Sequence, residues 1–547
     1  MRGHRRSRWI AGTGVLVLAL SACGSDEAAQ DAGGGDSGEA SGSVTVNGCD
    51  PENPFIPANT NETCGGNPLD QIFTGLVTYN PETAEPENAI AASVEPNEDN
   101  TVYTVTLNDG WTFHDGTPIT AESFVNAWNF SAYGPNAYLN SYFFEPIEGY
   151  ADVAGEDANG DEVITPDEAS AEEMSGLEVV SETEFTITLE SPASQFPIRL
   201  GYTAFSPLPE SFFEDPDAFG ESPVGSGPFK FVSFEPNRSL KITAFEDYQG
   251  DKPSVKDVEY KIYADLDAAY ADLLAGNLDI LEDIPTSALA DATYQDDLGE
   301  GKFLNNAVGV IQTLTVPTYV EAYANPDLSR AISMAIDREA VIDVAFPGRI
   351  PATSYAAPVV NGYQEGACGE ACEYDPEGAK ELFDTIGFEG GLTLSYNADG
   401  DHKTWTEAAC QSISDALGVE CVATPVVDFA TFRAAINARE ATGLFRTGWQ
   451  MDYPSIENFL VPLYATGASS NDNDYSNPEF DALLEEAAAL TGEEAIAKYQ
   501  EAEALLFEDL PSIPLWYGNL AAGWSDNVDS VAFTPFGIAD LTGVTLA

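Results

Sequence analysis

Hydrolysis or group transfer near neutral pH usually needs a histidine beside a nucleophile, and beyond its first turn of sequence this 547-residue chain offers only His114 and His402. Neither lies in a nucleophile motif. Ser226 stands in Val224-Gly225-Ser226-Gly227, which lacks the first glycine of a nucleophile elbow. No lysine-bearing phosphate loop and no dinucleotide fingerprint occurs. Carboxylates are too abundant for any pair of them to discriminate, so the expectation is a non-enzyme without a cofactor. Asp157, Asn159, Asp161, Ile164 and Glu168 fall at calcium-loop positions, but Glu162 replaces the glycine of the sharp turn and Pro166 interrupts the ligand run. A solvated surface loop is expected there, and no metal site. One stretch fits no catalytic template: Arg446-Thr447-Gly448-Trp449-Gln450-Met451-Asp452-Tyr453-Pro454 combines one of few arginines with a glycine, a tryptophan and an acid.

The N-terminus carries an address. Arg2, Arg5, Arg6 and Arg8 precede an apolar run from Ile10 to Leu20, and Leu20-Ser21-Ala22-Cys23 resembles a lipoprotein processing site. Residues 1–22 are then a signal peptide and Cys23 is lipidated, with several acyl chains giving a stable anchor to the outer face of the cell membrane. A signal cut elsewhere is the alternative; a membrane helix is disfavoured because the apolar run is too short to span a bilayer. Six further cysteines fall as near neighbours, Cys49 with Cys64, Cys368 with Cys372 and Cys410 with Cys421. An even count in an exported chain reads as three disulfides, and of the fifteen connectivities proximity selects this one. Zinc is the poorer reading because histidine is nearly absent.

The 91 acidic side chains against 21 basic ones give a net charge of -70, which disfavours nucleic acid and anionic lipid surfaces as partners. The acid is spread along the whole chain, so a solvated surface suited to a salty environment is the plain reading, and recruitment of cationic ligands the lesser one. The length implies two or three lobes. Residues 24–43 hold only Gly, Ser, Ala, Asp, Glu and one Gln, and are expected to stay disordered.

Beyond that linker the elements are well marked. Tyr103, Val105 and Leu107 alternate with polar residues, and after Asn108-Asp109-Gly110 the alternation resumes at Trp111 and Phe113, which predicts a hairpin. Phe185 to Leu189 and Leu392 to Tyr396 predict strands. Asn325-Pro326, Asp337, Asp375-Pro376 and Asn477-Pro478 each precede a helical apolar stripe as N-cap signals. A strand from Val258 to Tyr263, a helix from Asp265 to Ala275, Gly276 and a strand from Leu278 to Leu281 form a β-α-β unit, so part of a sheet is parallel and helix-covered.

The stretch from Arg446 to Pro454 now joins WTFHDGTPITAESFVNAW (Trp111 to Trp128), VGSGPFKFVSFEPN (Val224 to Asn237), PDLSRAISMAIDREAV (Pro326 to Val341) and YDPEGAKELF (Tyr374 to Phe383). Together, in this order, they resemble the dipeptide and oligopeptide branch of the extracellular solute-binding proteins, family 5, which serve ABC importers. The resemblance implies a two-lobed α/β protein of the periplasmic-binding-protein type II, closing like a flytrap, with an extra domain on the first lobe. Lobe I would comprise 44–78, 205–312 and 511–547, the extra domain 79–204 and lobe II 313–510, after a lipidated linker over 23–43. It implies a short peptide as ligand, the permease subunits of an ABC transporter as partners, and a monomer. The position matching the relatives' ammonium-binding aspartate is Asp452; Gly448 and Gln450 match positions whose backbone pairs with the peptide, Trp449 a pocket wall, and Arg446 a position near the ligand's carboxyl end. Asn59 to Glu62 align loosely with a ligand loop of lobe I. A non-peptide solute (oligosaccharide, opine or metal chelate) and a surface sensor remain the alternative functions, since one scaffold hosts many.

The charge has its own consequence. Removing salt should lower the melting temperature, because like-charge repulsion is then unscreened; a thermal scan that does not move between low and high salt contradicts that reading.

Overall fold

Two strands of thirteen residues, Phe303–Thr315 and Ser512–Trp524, run antiparallel through the middle of the protein and belong to both halves of it. The computed structural model describes residues 40–157, 163–289, 292–398, 400 and 402–547. The expected signal segment, Cys23 and nearly all of the linker lie outside these residues, as do Asn159 and Asp161 of the calcium-like loop. The described chain is tied down slightly earlier than Val44. Ser41 N–H donates to Ser254 O at 2.9 Å, and the first strand starts at Ser43.

Along Ser512–Trp524 successive side chains pass from one core to another. Ile513, Leu515 and Trp516 pack in one half, among Leu314, Leu328, Ile332, Leu394 and Trp405. Trp524 packs in the other, with Val44, Val46, Val258 and Ile280. The pairing register of the two strands shifts between Ala307/Asn519 and Ile311/Tyr517, where one half gives way to the next. The expected boundary at 312/313 thus falls within a continuous strand, and that at 510/511 just ahead of one. Gly309 sits at this shift: a Cβ there would lie 2.1 Å from Sδ of Met451, so a larger residue would displace the side chain that precedes Asp452.

The sheet containing these strands runs Cys421–Val426, Leu392–Asn397, Leu444–Gln450, Phe303–Thr315, Ser512–Trp524, Ile280–Leu281, Ser43–Gly48, Asp257–Ile262, Ser239–Ala244, Phe229–Glu235. The β-α-β unit is present: Asp257–Ile262 and Ile280–Leu281 both pair parallel with Ser43–Gly48, joined by helix Leu266–Leu274, which Asp265 caps. In the other half Leu392–Asn397 pairs parallel with Cys421–Val426 and with Leu444–Gln450, with helices Lys403–Leu417 and Phe429–Asn437 as the crossovers that parallel pairing requires. The N-cap expectations hold at Asn325, Asp337, Asp375 and Asn477, each of which accepts a backbone N–H of the following helix.

The predicted hairpin does not form. Val102–Leu107 has both edges occupied, by Ala91–Pro96 and Glu184–Thr188, so Trp111 and Phe113 cannot pair with it. They fold back on the next residues instead, with Phe113 N–H to Thr117 O at 2.8 Å and Ile119 N–H to Trp111 O at 3.0 Å. Within residues 79–204 a four-stranded antiparallel sheet carries helix Ala121–Ala132, whose Phe124 and Trp128 pack on Phe185. This core is continuous with that of residues 44–76 and 229–258. The three expected disulfides are present, Cys49–Cys64, Cys368–Cys372 and Cys410–Cys421.

Arg338 is 4% exposed and has no carboxylate partner among the described residues. Its guanidinium instead joins three segments, donating to Pro514 O at 2.8 Å, to Cys372 O at 3.0 Å, and to the carbonyl and hydroxyl of Ser333. Arg338→Met would leave those buried acceptors unmet, and denaturant unfolding should show a loss on the order of 3 kcal/mol. A loss under about 1 kcal/mol would mean that water replaces the guanidinium.

Candidate functional site

Between the halves lies a cleft of about 1570 Å³, above the roughly 300–1,000 Å³ of small-molecule sites. Asp452 and Gln450 line one side of it, and Asp70, Tyr79, Tyr202 and Phe536 lie among the residues of the other. Asp452 follows strand Leu444–Gln450 and is fixed by helix Ile456–Tyr464. Asn458 of that helix accepts from the Asp452 N–H at 2.9 Å and from the Trp449 indole at 3.0 Å, while its amide donates to Asp452 Oδ2 at 2.9 Å. Among the described residues no donor meets Oδ1. The nearby cation is Arg199, but its charge is spent on Glu457 at 2.6 Å, a buried pair that also receives the Tyr453 hydroxyl. The cluster of Arg199, Glu457 and Asp452 is therefore left with one uncompensated negative charge. Burial raises the Asp452 carboxyl to about 6, opposed by the Asn458 hydrogen bond and the more distant Arg199. Keeping it ionised there costs on the order of 3 kcal/mol relative to water.

The strand leading to Asp452 has an open edge. Leu444–Gln450 pairs on one side with Phe303–Thr315 through Gln450, but Leu392–Asn397 covers its other side only at Leu444 and Phe445. Met451 N–H bonds Gly309 O at 2.8 Å. By the alternation of an antiparallel pair, Trp449 and Thr447 then direct their main-chain groups to the same neighbour, and Gly448 and Gln450 direct theirs to the open edge. Both are exposed.

The remaining sequence candidates divide. Arg446, Gly448 and Trp449 line a second cavity of about 300 Å³ within the half that carries Asp452, together with Phe459, Tyr464 and Asp472. The Arg446 guanidinium bonds Asn397 Oδ1 at 2.8 Å and lies over the Phe429 and Phe432 rings. Of the Asn59 to Glu62 loop, Thr60, Asn61 and Glu62 line the large cleft, but the Glu62 carboxylate caps helix Thr63–Ile72 through Gly65 N–H. His114 is held by backbone on both sides. His114 accepts from Gly225 N–H at 3.1 Å and its other ring nitrogen bonds Gly227 O at 3.0 Å, and burial lowers its pKa to about 4. Ser226 exchanges hydrogen bonds with the Thr74 backbone. Sequence reasoning missed Asn458, Asp70, Tyr79 and Tyr202, which carry no motif; only the spacing of six from Asp452 to Asn458, across a helix start, hinted at the first.

Residues 85–471 match the model of the bacterial extracellular solute-binding proteins, family 5 (middle region). The chain belongs to this family. The chain is 25% identical over 542 residues to the oligopeptide-binding protein OppA of Bacillus subtilis, covering 94% of each, and 26% identical over 556 residues to heme-binding protein A of Haemophilus influenzae, covering 97% of this chain and 98% of that one. Its fold matches the murein tripeptide binding protein MppA of Escherichia coli (TM-score 0.73, 22% identity, 93% and 99% covered) and HbpA2 of Haemophilus parasuis (TM-score 0.78, 21%, 92% and 100%). Family-5 proteins are extracytoplasmic solute-binding components of ABC importers, and the two-lobed type II fold is theirs. No helix among the described residues is long and apolar enough to cross a membrane.

Asn458 holds the site together, which makes it testable apart from any ligand. Asn458→Ala should raise the Asp452 pKa above its value of about 6 and cost about 1–3 kcal/mol of stability through the unmet indole and amide N–H groups. Carboxyl-carbon NMR titration checks the first, and an unmoved or lowered pKa would contradict the assigned contact.

Proposed function

We propose that this chain captures short peptides outside the membrane, anchored there by a lipid on Cys23, and delivers them as a monomer to the permease of an ABC transporter. The observation that carries the reading is the uncompensated Asp452 carboxylate beside an open strand edge in the cleft. A peptide's α-ammonium supplies the missing charge with short charge-assisted hydrogen bonds. Its backbone can then add to the edge at Gly448 and Gln450, which selects extended peptides without reading their sequence. Trp449 and Arg446, in the smaller cavity alongside, are assigned to side-chain and carboxyl-end recognition. Binding to both lobes favours the closed form, which is what a permease would recognise.

The heme-binding relative keeps a metal chelate as the second reading. It is the weaker one here: heme propionates are anionic, the charged residues lining the cleft are carboxylates apart from Lys252, and neither His114 nor His402 lines it.

Asp452→Asn should weaken a free-amine peptide by about 3 to 5 kcal/mol, the scale of breaking a buried pair, and leave its N-acetylated counterpart nearly unaffected. Equal losses for both refute the role. The pH dependence has a definite sign. Bound ammonium favours the ionised carboxylate, so in the complex its pKa falls below the free value of about 6; below that value binding must expel a proton, and affinity declines as pH drops. Calorimetry should find free-amine peptides bound about tenfold more weakly at pH 5 than at pH 7, with no such slope in Asp452→Asn.

A further inference from the structure

We infer that Asp70, on the cleft wall opposite Asp452, forms a second cation subsite, so that the preferred cargo is a peptide with a basic side chain near its amino end. This rests on the peptide reading above and narrows its substrate class.

Asp70 lies on helix Thr63–Ile72, whose Leu69 and Ile72 are fully buried in the lobe I core, while the carboxylate opens into the cleft. Among the described residues nothing donates a hydrogen bond to it and no cation pairs with it. Two other carboxylates of the lining are occupied. Glu62 caps the same helix, and Glu282, 8% exposed, accepts the Ala539 N–H at 2.8 Å. The one basic residue of the lining, Lys252, directs its ammonium to Glu246 O at 2.7 Å. Among the described residues Asp70 on one wall thus stands without a partner, and Asp452 on the other is met only by Asn458. Both acids line the one cleft together with Tyr79 and Tyr202. Enclosure by protein pushes the Asp70 carboxyl up as well, although cleft water still reaches it. A ligand whose α-ammonium satisfies Asp452 extends its first side chains toward this wall, and a lysine or arginine there would meet a charge that nothing in the protein neutralises.

The test uses the mature protein at 0.15 M salt, where exposed long-range charge is largely screened. Calorimetric affinities are compared for an alanine pentapeptide and for versions with a single lysine, or uncharged norleucine, at each of the first three positions. The inference predicts that lysine exceeds norleucine by about tenfold or more at one position, and that in Asp70→Asn the ratio at that position falls to near one. An equal lysine advantage at every position reports only the field of an acidic body and overturns the subsite. So does a positional advantage that survives in Asp70→Asn, or no advantage in the unaltered protein. If the alanine peptide binds and lysine adds nothing, the subsite alone fails; if none of these peptides binds, the peptide reading fails with it.

Discussion

A half-buried carboxylate between two lobes, without a counter-ion among the described residues, is the constraint from which the rest of this molecule is best understood. The fold could have neutralised Asp452, since Arg199 stands close by, but Glu457 and the ring of Tyr453 engage that guanidinium. Asn458 supplies enough hydrogen bonding to fix the carboxylate and too little to satisfy it. The unfavourable energy of the ligand-free site becomes part of the affinity for a cation, because it is relieved when one arrives.

Everything around Asp452 serves its placement. The two long strands carry side chains of both lobes, so that the lobes are joined by continuous hydrogen-bonded backbone and differ across one shift of register near Gly309. The strand that leads to Asp452 borders this crossing on one side and leaves its other edge open. A second tie between the parts crosses from residues 79–204: Gln195 meets Ser455, Arg199 meets Glu457, and Asn100 donates to Ala489 O. The region beside the carboxylate is therefore held by three segments distant in sequence, which preorganises it for a ligand that must bridge the lobes.

Much of this was legible in the sequence where the physics is local. Proline-led helix starts with Asn or Asp caps formed as expected because a cap needs only its own next turn, and the β-α-β unit is one contiguous segment. The hairpin at Trp111 failed because its edge was claimed by Ala91–Pro96 and Glu184–Thr188, and strand competition is not written in a local pattern. Asp452 could be singled out only by the resemblance of its surrounding motif. Asp70 could not be singled out at all: as one acid among 91, it is distinguished solely by which wall of the cleft the helix presents. Arg446 and Trp449 show the converse, neighbours of Asp452 in sequence that the strand carries into a separate cavity.

The most direct measurement is a crystal structure of the protein with a short free-amine peptide bound. The account predicts the peptide's amino nitrogen about 2.7–2.9 Å from Oδ1 of Asp452, with the peptide backbone paired to Gly448 and Gln450. A peptide whose amino end lies elsewhere, with the Asp452 carboxylate turned to water, would contradict it.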